Sequence, residues 1–141
     1  MALKVELKPG ERFILGTSVI TNDNQRTRLY IQGDAPVLRE KDILTAETAD
    51  TPAKRIYLAV QLLYLGLEGE ETRELYFKLV NELVAAVPST LPYVDRINNL
   101  ILTNALYKAL REAKVLIQYE TELLEHAQRS AGLRPGDTTD G

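Results

Sequence analysis

The chain has 141 residues, a formal net charge of −3, one histidine and no cysteine. Its length suits one domain, or one β unit packed on one helical unit. A chain of this length buries enough surface to fold without disulfides or structural metal ions. The lack of cysteine excludes disulfides and thiolate metal sites. The negative charge argues against a general polyanion binder, while a local basic surface stays compatible with it.

Residues 1–44 follow a period of two, which is typical of short β-strands. Leu3, Val5 and Leu7 alternate with charged residues and predict a first strand. Further strands are predicted at residues 13–15, 18–21, 26–31 and 37–38. The triplet Asn22-Asp23-Asn24 suits a hairpin turn. We therefore expect about five short antiparallel strands in a twisted or closed arrangement, because so small a sheet needs its edges covered.

From residue 51 onward the apolar residues recur at spacings of three and four residues, which is typical of helices. Thr51 followed by Pro52 predicts a helix start, and Gly66 predicts its end. This helix is apolar nearly all round and should be central. A second helix is predicted over residues 70–87, with an acidic first turn that favours the helix dipole. Its apolar stripe comprises Leu75, Tyr76, Leu79, Val80, Leu83, Val84 and Val87.

A third helix is predicted from about Thr90 and a fourth from about residue 103. Because no strong breaker lies between Ile101 and Leu106, one bent helix is an open alternative. The sequence thus predicts an α+β fold in three parts. These are a small N-terminal antiparallel β unit (1–45), a helical bundle of three to four helices (46–129) and a disordered tail (130–141).

The chain is poor in catalytic side chains. His126 lies near the end of the last predicted helix, where a solvated role beside the negative end of the dipole explains it. No histidine or acidic cluster has the spacing of metal ligands, and no phosphate loop or dinucleotide fingerprint is present. We therefore expect no enzymatic activity, no metal and no cofactor.

The expected location is the cytoplasm, without membrane contact. The first residues contain no apolar run of signal-peptide length. The longest apolar stretch, residues 56–65, is about half of a membrane span.

What remains is a set of basic side chains on the β unit. Lysine and arginine side chains held on a sheet can contact RNA phosphates and base edges. The alternative is that they are solvated outer-face residues that blunt the sheet edges. Tyr30 shares a predicted face with two arginines and can stack on a base, although simple packing also explains it. The candidate RNA-binding residues are Lys4, Lys8, Arg12, Arg26, Arg28, Arg39 and Lys41.

Two features of the helical part leave a protein partner open. Asn98-Asn99 interrupts an apolar helix and suggests either an exposed side or a polar contact. Tyrosines are enriched in protein interfaces and also pack at the rim of a core. The six in the helical part are Tyr57, Tyr64, Tyr76, Tyr93, Tyr107 and Tyr119.

Four segments together resemble the FlbT family of flagellum biosynthesis regulators of alphaproteobacteria. They are LKVELKPGERFILG, VITNDNQRTRLYIQGDAPVLREKDIL, ETADTPAKRIYLAVQLLYL and PSTLPYVDRINNLILTNALYKALREAKVLIQYE. The resemblance covers about Leu3 to Glu120. It implies post-transcriptional control of flagellin, through binding of the 5′ untranslated region of flagellin mRNA and altered translation and decay.

The β unit is also weakly similar to the CsrA/RsmA translational regulators. The similarity lies in KPGERFILG, a following strand pair and LREKDI. By position it implies RNA contacts at Lys8, with Lys4 nearby, and at Arg39. Pro9, Leu38 and the long helical body depart from that pattern.

The predicted function is a non-catalytic regulator whose β unit docks a flagellin leader. The alternative is a protein–protein regulator or chaperone-like adaptor, which binds flagellin or another flagellar factor through its helical body without RNA contact. A near-neutral β unit beside an acidic remainder favours the alternative. An exposed strand edge on so small a unit is also compatible with a homodimer.

Overall fold

The computed structural model describes residues 2–67 and 69–130, which form five strands followed by four α-helices. The strands are β1 (Ala2–Leu7), β2 (Arg12–Leu15), β3 (Ser18–Thr21), β4 (Thr27–Gln32) and β5 (Val37–Arg39). The helices are α1 (Pro52–Leu65), α2 (Glu70–Ala86), α3 (Leu91–Leu102) and α4 (Leu106–Ser130), with 3₁₀ turns at Glu40–Asp42 and Pro88–Thr90. The predicted α+β class is confirmed. Ser130 still belongs to α4, and residues 131–141, predicted as disordered, lie outside the described residues.

The strands pair as two antiparallel sheets. β1 pairs with β4, and β2 lies between β3 and β5. The hairpin predicted at residues 22–24 is wrong, because β3 and β4 form no ladder with each other. The Asn22 amide instead donates to the Lys8 and Gln25 carbonyls at 2.8 Å each and accepts from the Thr27 hydroxyl at 2.9 Å. This side chain ties two turns together, and the tight hairpin forms between β2 and β3 at Gly16, whose φ is 62°.

A small core lies between the two sheets. Val5, Leu7 and Phe13 are buried there. The side chains packed around them are Leu15, Ile20, Leu29, Ile31 and Val37. Because side chains alternate across a strand, burying this set turns the charged residues of β1 and β4 to solvent.

The predicted start of α1 is confirmed. The Lys54 amide donates to Thr51 Oγ1 at 3.2 Å, and Gly66 ends the helix with a φ of 70°. α1 packs between α2 and α4 and buries most of its surface, as its apolar sequence predicted. In the part of the chain with described structure, no helix combines the length and hydropathy needed to span a membrane.

The predicted stripe of α2 is correct for six of its seven residues. Tyr76, Val80 and Leu83 are buried, and Leu79, Val84 and Val87 are partly buried against the same core. Leu75 is the exception, because 46% of its surface is exposed.

α3 and α4 are separate helices. Asn104 has a φ of 60°, and the Ala105 amide closes the turn on the Leu100 carbonyl at 2.8 Å. A left-handed residue ends a right-handed helix, and asparagine adopts that conformation more readily than most residues.

Side chains of α1 attach the β unit to the helices. The Tyr64 hydroxyl donates to the Val37 carbonyl at 2.9 Å and accepts from the Val37 amide at 3.0 Å. The Gln61 amide makes the same double contact with the Leu44 main chain, at 2.9 Å in each direction. These bonds satisfy β5 and the chain that follows it, so α1 positions the strand that carries Arg39.

Candidate nucleic-acid interface

Four side chains form one solvent-facing surface on the β1–β4 pair, which we call the ribbon face: Lys4, Glu6, Arg28 and Tyr30. The register sets Lys4 opposite Tyr30 and Glu6 opposite Arg28. All four project away from the small core, since their neighbours in the strands point inward. Tyr30 is 65% exposed. An uncovered aromatic ring between two cations on a rigid strand pair can stack on a base while the cations contact phosphates.

The cations of the ribbon face share one carboxylate. Glu6 Oε1 lies 3.4 Å from Lys4 Nζ and 3.5 Å from Arg28 Nε. All three side chains are at least half exposed, and such ion pairs contribute little in water. Lys4 and Arg28 can therefore turn to an anionic ligand at small cost. Arg26, just before β4, is exposed and lies within ion-pair distance of none of the carboxylates in residues 2–67 and 69–130.

Arg39 lies in a clasp between β5, β1 and the turn after β1. Its Nη2 donates to the Glu6 carbonyl at 2.7 Å and to Glu11 Oε2 at 3.3 Å. Its Nε is buried and has no hydrogen-bond partner in the described part of the chain. Arg39 therefore holds strands together, whatever else it contacts.

Glu11 is the anion of that clasp. The Lys8 amide donates to Glu11 Oε1 at 2.9 Å. This main-chain bond, with the Arg39 guanidinium beside it, holds the pKa of Glu11 below its ordinary value. Lys8 thus contributes its backbone to the clasp, and its side chain is exposed.

Arg12 and Lys41 form a third group, at the junction with the helices. The Arg12 amide donates to Glu40 Oε1 at 2.8 Å, and its guanidinium Nε lies 3.8 Å from the same oxygen. Lys41 follows in the 3₁₀ turn and is exposed. The seven residues predicted from the sequence therefore occupy three places, and only Lys4 and Arg28, with Arg26 beside them, share the surface of Tyr30.

Sequence reasoning missed the acidic partners. Glu6 stands two residues from Lys4, which is a visible signal, but its position opposite Arg28 follows only from strand register. Glu11 and Arg39 are 28 residues apart.

The pair Asn98-Asn99 divides between two roles. Asn98 Oδ1 accepts a hydrogen bond of 2.5 Å from the buried Tyr76 hydroxyl. Burial raises the pKa of Tyr76, so this phenol remains a donor well into the alkaline range. The expected exposure holds for Asn99 alone, because Asn98 is half-buried and joins α3 to α2.

The residues for which structure is described contain no group of three or more histidine or carboxylate side chains that could hold a metal ion. His126 is exposed near the end of α4.

Comparison with known proteins assigns a family. The family model of the flagellar protein FlbT matches residues 3–124. A probable flagellum biosynthesis repressor FlbT of Bradyrhizobium diazoefficiens is 57% identical over 87% of this chain and 85% of its own length. The probable repressor of Rhodopseudomonas palustris is 56% identical over 88% and 98%.

The flagellum biosynthesis repressor FlbT of Caulobacter vibrioides is 39% identical over 96% of this chain and 97% of its own length. No solved structure matches. A family model that matches nearly the whole chain, with relatives this similar, leads to one conclusion: the chain belongs to the FlbT family of flagellar proteins.

Proposed function

We propose that this protein represses flagellum biosynthesis after transcription, by binding the 5′ untranslated region of a flagellin mRNA on the ribbon face. The single observation that carries the proposal is Tyr30, which is 65% exposed on a strand pair and flanked by Lys4 and Arg28. Exposed aromatic rings on sheets bind unpaired bases by stacking, and nearby cations neutralise the backbone. The relatives are named flagellum biosynthesis repressors, which supports the part of the proposal that concerns repression of flagellum biosynthesis.

The proposed mechanism needs no catalysis. A single-stranded or looped leader segment stacks on Tyr30 and exchanges the weak contacts of Glu6 with Lys4 and Arg28 for phosphate contacts. Arg26, Arg12 and Lys41 extend the electrostatic attraction. An occupied leader blocks the ribosome or exposes the message to nucleases.

The direct test is binding of a labelled flagellin leader from the same organism, with a scrambled leader as control, at about 50 and 200 mM salt. Tyr30→Ser should weaken leader binding by about 5- to 150-fold, the range of one base-stacking contact (about 1–3 kcal/mol). Lys4→Gln/Arg28→Gln should reduce the slope of log affinity against log salt by about 1.4, or about 0.7 per lost phosphate contact.

The matched control is Lys78→Gln/Lys108→Gln, which removes the same charge from exposed positions of α2 and α4. Because these lysines lie outside the ribbon face, their loss should change affinity far less than the loss of Lys4 and Arg28. Equal effects of the two double variants would reduce the interaction to nonspecific attraction and remove the ribbon face from the site.

A protein–protein regulator is the second candidate, and a specific observation favours it. Several large apolar side chains of the helices are exposed. They are Leu75, Phe77, Leu91, Leu102, Val115 and Leu124. An apolar helical interface with flagellin or another flagellar factor would change little with salt, whereas RNA binding weakens steeply. Salt-insensitive capture of flagellin without leader binding would select this candidate.

A further inference from the structure

Three lysines converge on a cleft between the β unit and the helices. Lys41 comes from the 3₁₀ turn after β5, Lys54 from the first turn of α1 and Lys114 from the middle of α4. They line a cavity of about 340 Å³. That volume falls within the range of small-ligand sites, about 300–1,000 Å³. We call it the lysine cleft.

Two of the ammonium groups are held in place. Lys114 Nζ pairs with Asp42, whose side chain is only 15% exposed, and Lys54 Nζ lies 3.4 Å from Asp50 Oδ1. An ammonium group has three donors, and each of these contacts uses one. The aspartates therefore position the lysines and leave most of their donors free for a ligand. Positioned side chains also lose less conformational entropy when a ligand binds.

The charge of the lysine cleft is positive on an acidic protein. Three lysines face two aspartates, which leaves one net positive charge, whereas the whole chain carries −3. Lys41 makes no ion pair with any residue whose structure is described. Phosphate is the anion that suits this arrangement, since several ammonium groups can donate to its oxygens at once.

We propose that the lysine cleft binds backbone phosphates of the RNA that the ribbon face recognises. This inference rests on the proposed function and extends it from the β unit to the helical body. Lys41 links the two, because it lies on the β unit beside Glu40, the partner of Arg12. Lys54 and Lys114 are the new members of the site. They add affinity without sequence preference, as phosphate contacts do.

The test uses the full chain and the leader assay. Lys54→Gln/Lys114→Gln should weaken leader binding about tenfold near 0.1 M salt and reduce the salt slope by about 1.4. The preference for the leader over its scrambled form should stay unchanged. Lys54→Arg/Lys114→Arg should retain binding, because the charges remain. Lys78→Gln/Lys108→Gln is again the control.

A second variant distinguishes lost phosphate contact from a folding defect, because the loss of Lys114 in the double variant leaves Asp42 unpaired. Lys54→Gln alone frees only the exposed Asp50 and should reduce the salt slope by about 0.7. If both variants bind like the control while the wild type binds the leader, the lysine cleft is overturned and the ribbon face stands. If the wild type binds no leader at all, the proposed function fails, and this inference fails with it.

A free nucleotide is the other source of phosphate. Titration with adenosine monophosphate distinguishes the two sources. RNA backbone binding predicts no saturation by the mononucleotide at millimolar concentration. Saturable binding that Lys54→Gln/Lys114→Gln abolishes would overturn the assignment to RNA.

Discussion

Arg39→Ala should lower the stability of the fold, although similarity to translational regulators marks Arg39 as an RNA contact. The substitution removes the bond of 2.7 Å from Nη2 to the Glu6 carbonyl, which joins β5 to β1. A hydrogen bond to a charged group contributes about 1.5–3 kcal/mol. The Arg39 side chain is 40% exposed, so water replaces part of this bond. We expect a loss of about 1–2 kcal/mol.

Thermal and urea unfolding followed by circular dichroism measure this loss. For a chain of this length 1 kcal/mol corresponds to about 3 °C, so Tm should fall by about 3–6 °C. Arg26→Ala is the matched control, because this exposed arginine pairs with no carboxylate in the described residues. Its stability should stay within about 0.5 kcal/mol of the wild type.

Equal stability of the two alanine variants would refute the clasp. In that case, a loss of leader affinity in Arg39→Ala would report a lost RNA contact and not a loss of stability. If Arg39→Ala is less stable, leader affinity must be measured well below its Tm before any loss is assigned to RNA contact.

Three other side-chain contacts can be tested by unfolding experiments. Folding lowers the pKa of Glu11, so its contribution to stability is present above the ordinary value of 4.5 and is lost as pH falls through the folded-state pKa. Tm should therefore fall over this acidic range. Glu11→Gln should show a smaller fall of Tm with pH over the same range. The Glu120 carboxylate accepts hydrogen bonds from the Thr51 hydroxyl at 2.5 Å and from the Ala53 amide at 2.9 Å, at the start of α1. Glu120→Ala should therefore lower the free energy of unfolding in urea by about 2–3 kcal/mol. A loss no larger than that of the exposed Glu125→Ala would contradict this prediction. Tyr76→Phe leaves the Asn98 carbonyl unpaired and should cost about 1–2 kcal/mol, and unchanged denaturation would show that water replaces the bond.

Local patterns were sufficient for most of the secondary structure. Thr51-Pro52 and Gly66 marked both ends of α1, because capping depends on the few residues around a helix end. The alternation of apolar and polar residues likewise predicted β4 and its exposed Tyr30, because it also depends only on neighbouring residues. The pattern left open whether α3 and α4 are two helices or one bent helix, since an asparagine adopts either a helical or a left-handed conformation and its neighbours decide which.

The residue pattern predicted the α+β class, the helices and the cations of the β unit. Packing between segments decided which of these cations share a surface. It set Arg28 opposite Glu6, placed Arg39 in a clasp with Glu11, and brought Lys54 and Lys114 to Lys41. Distance along the chain explains this difference. Periodicity reports on neighbours within a turn or a strand, whereas electrostatic partners are chosen by packing between segments tens of residues apart.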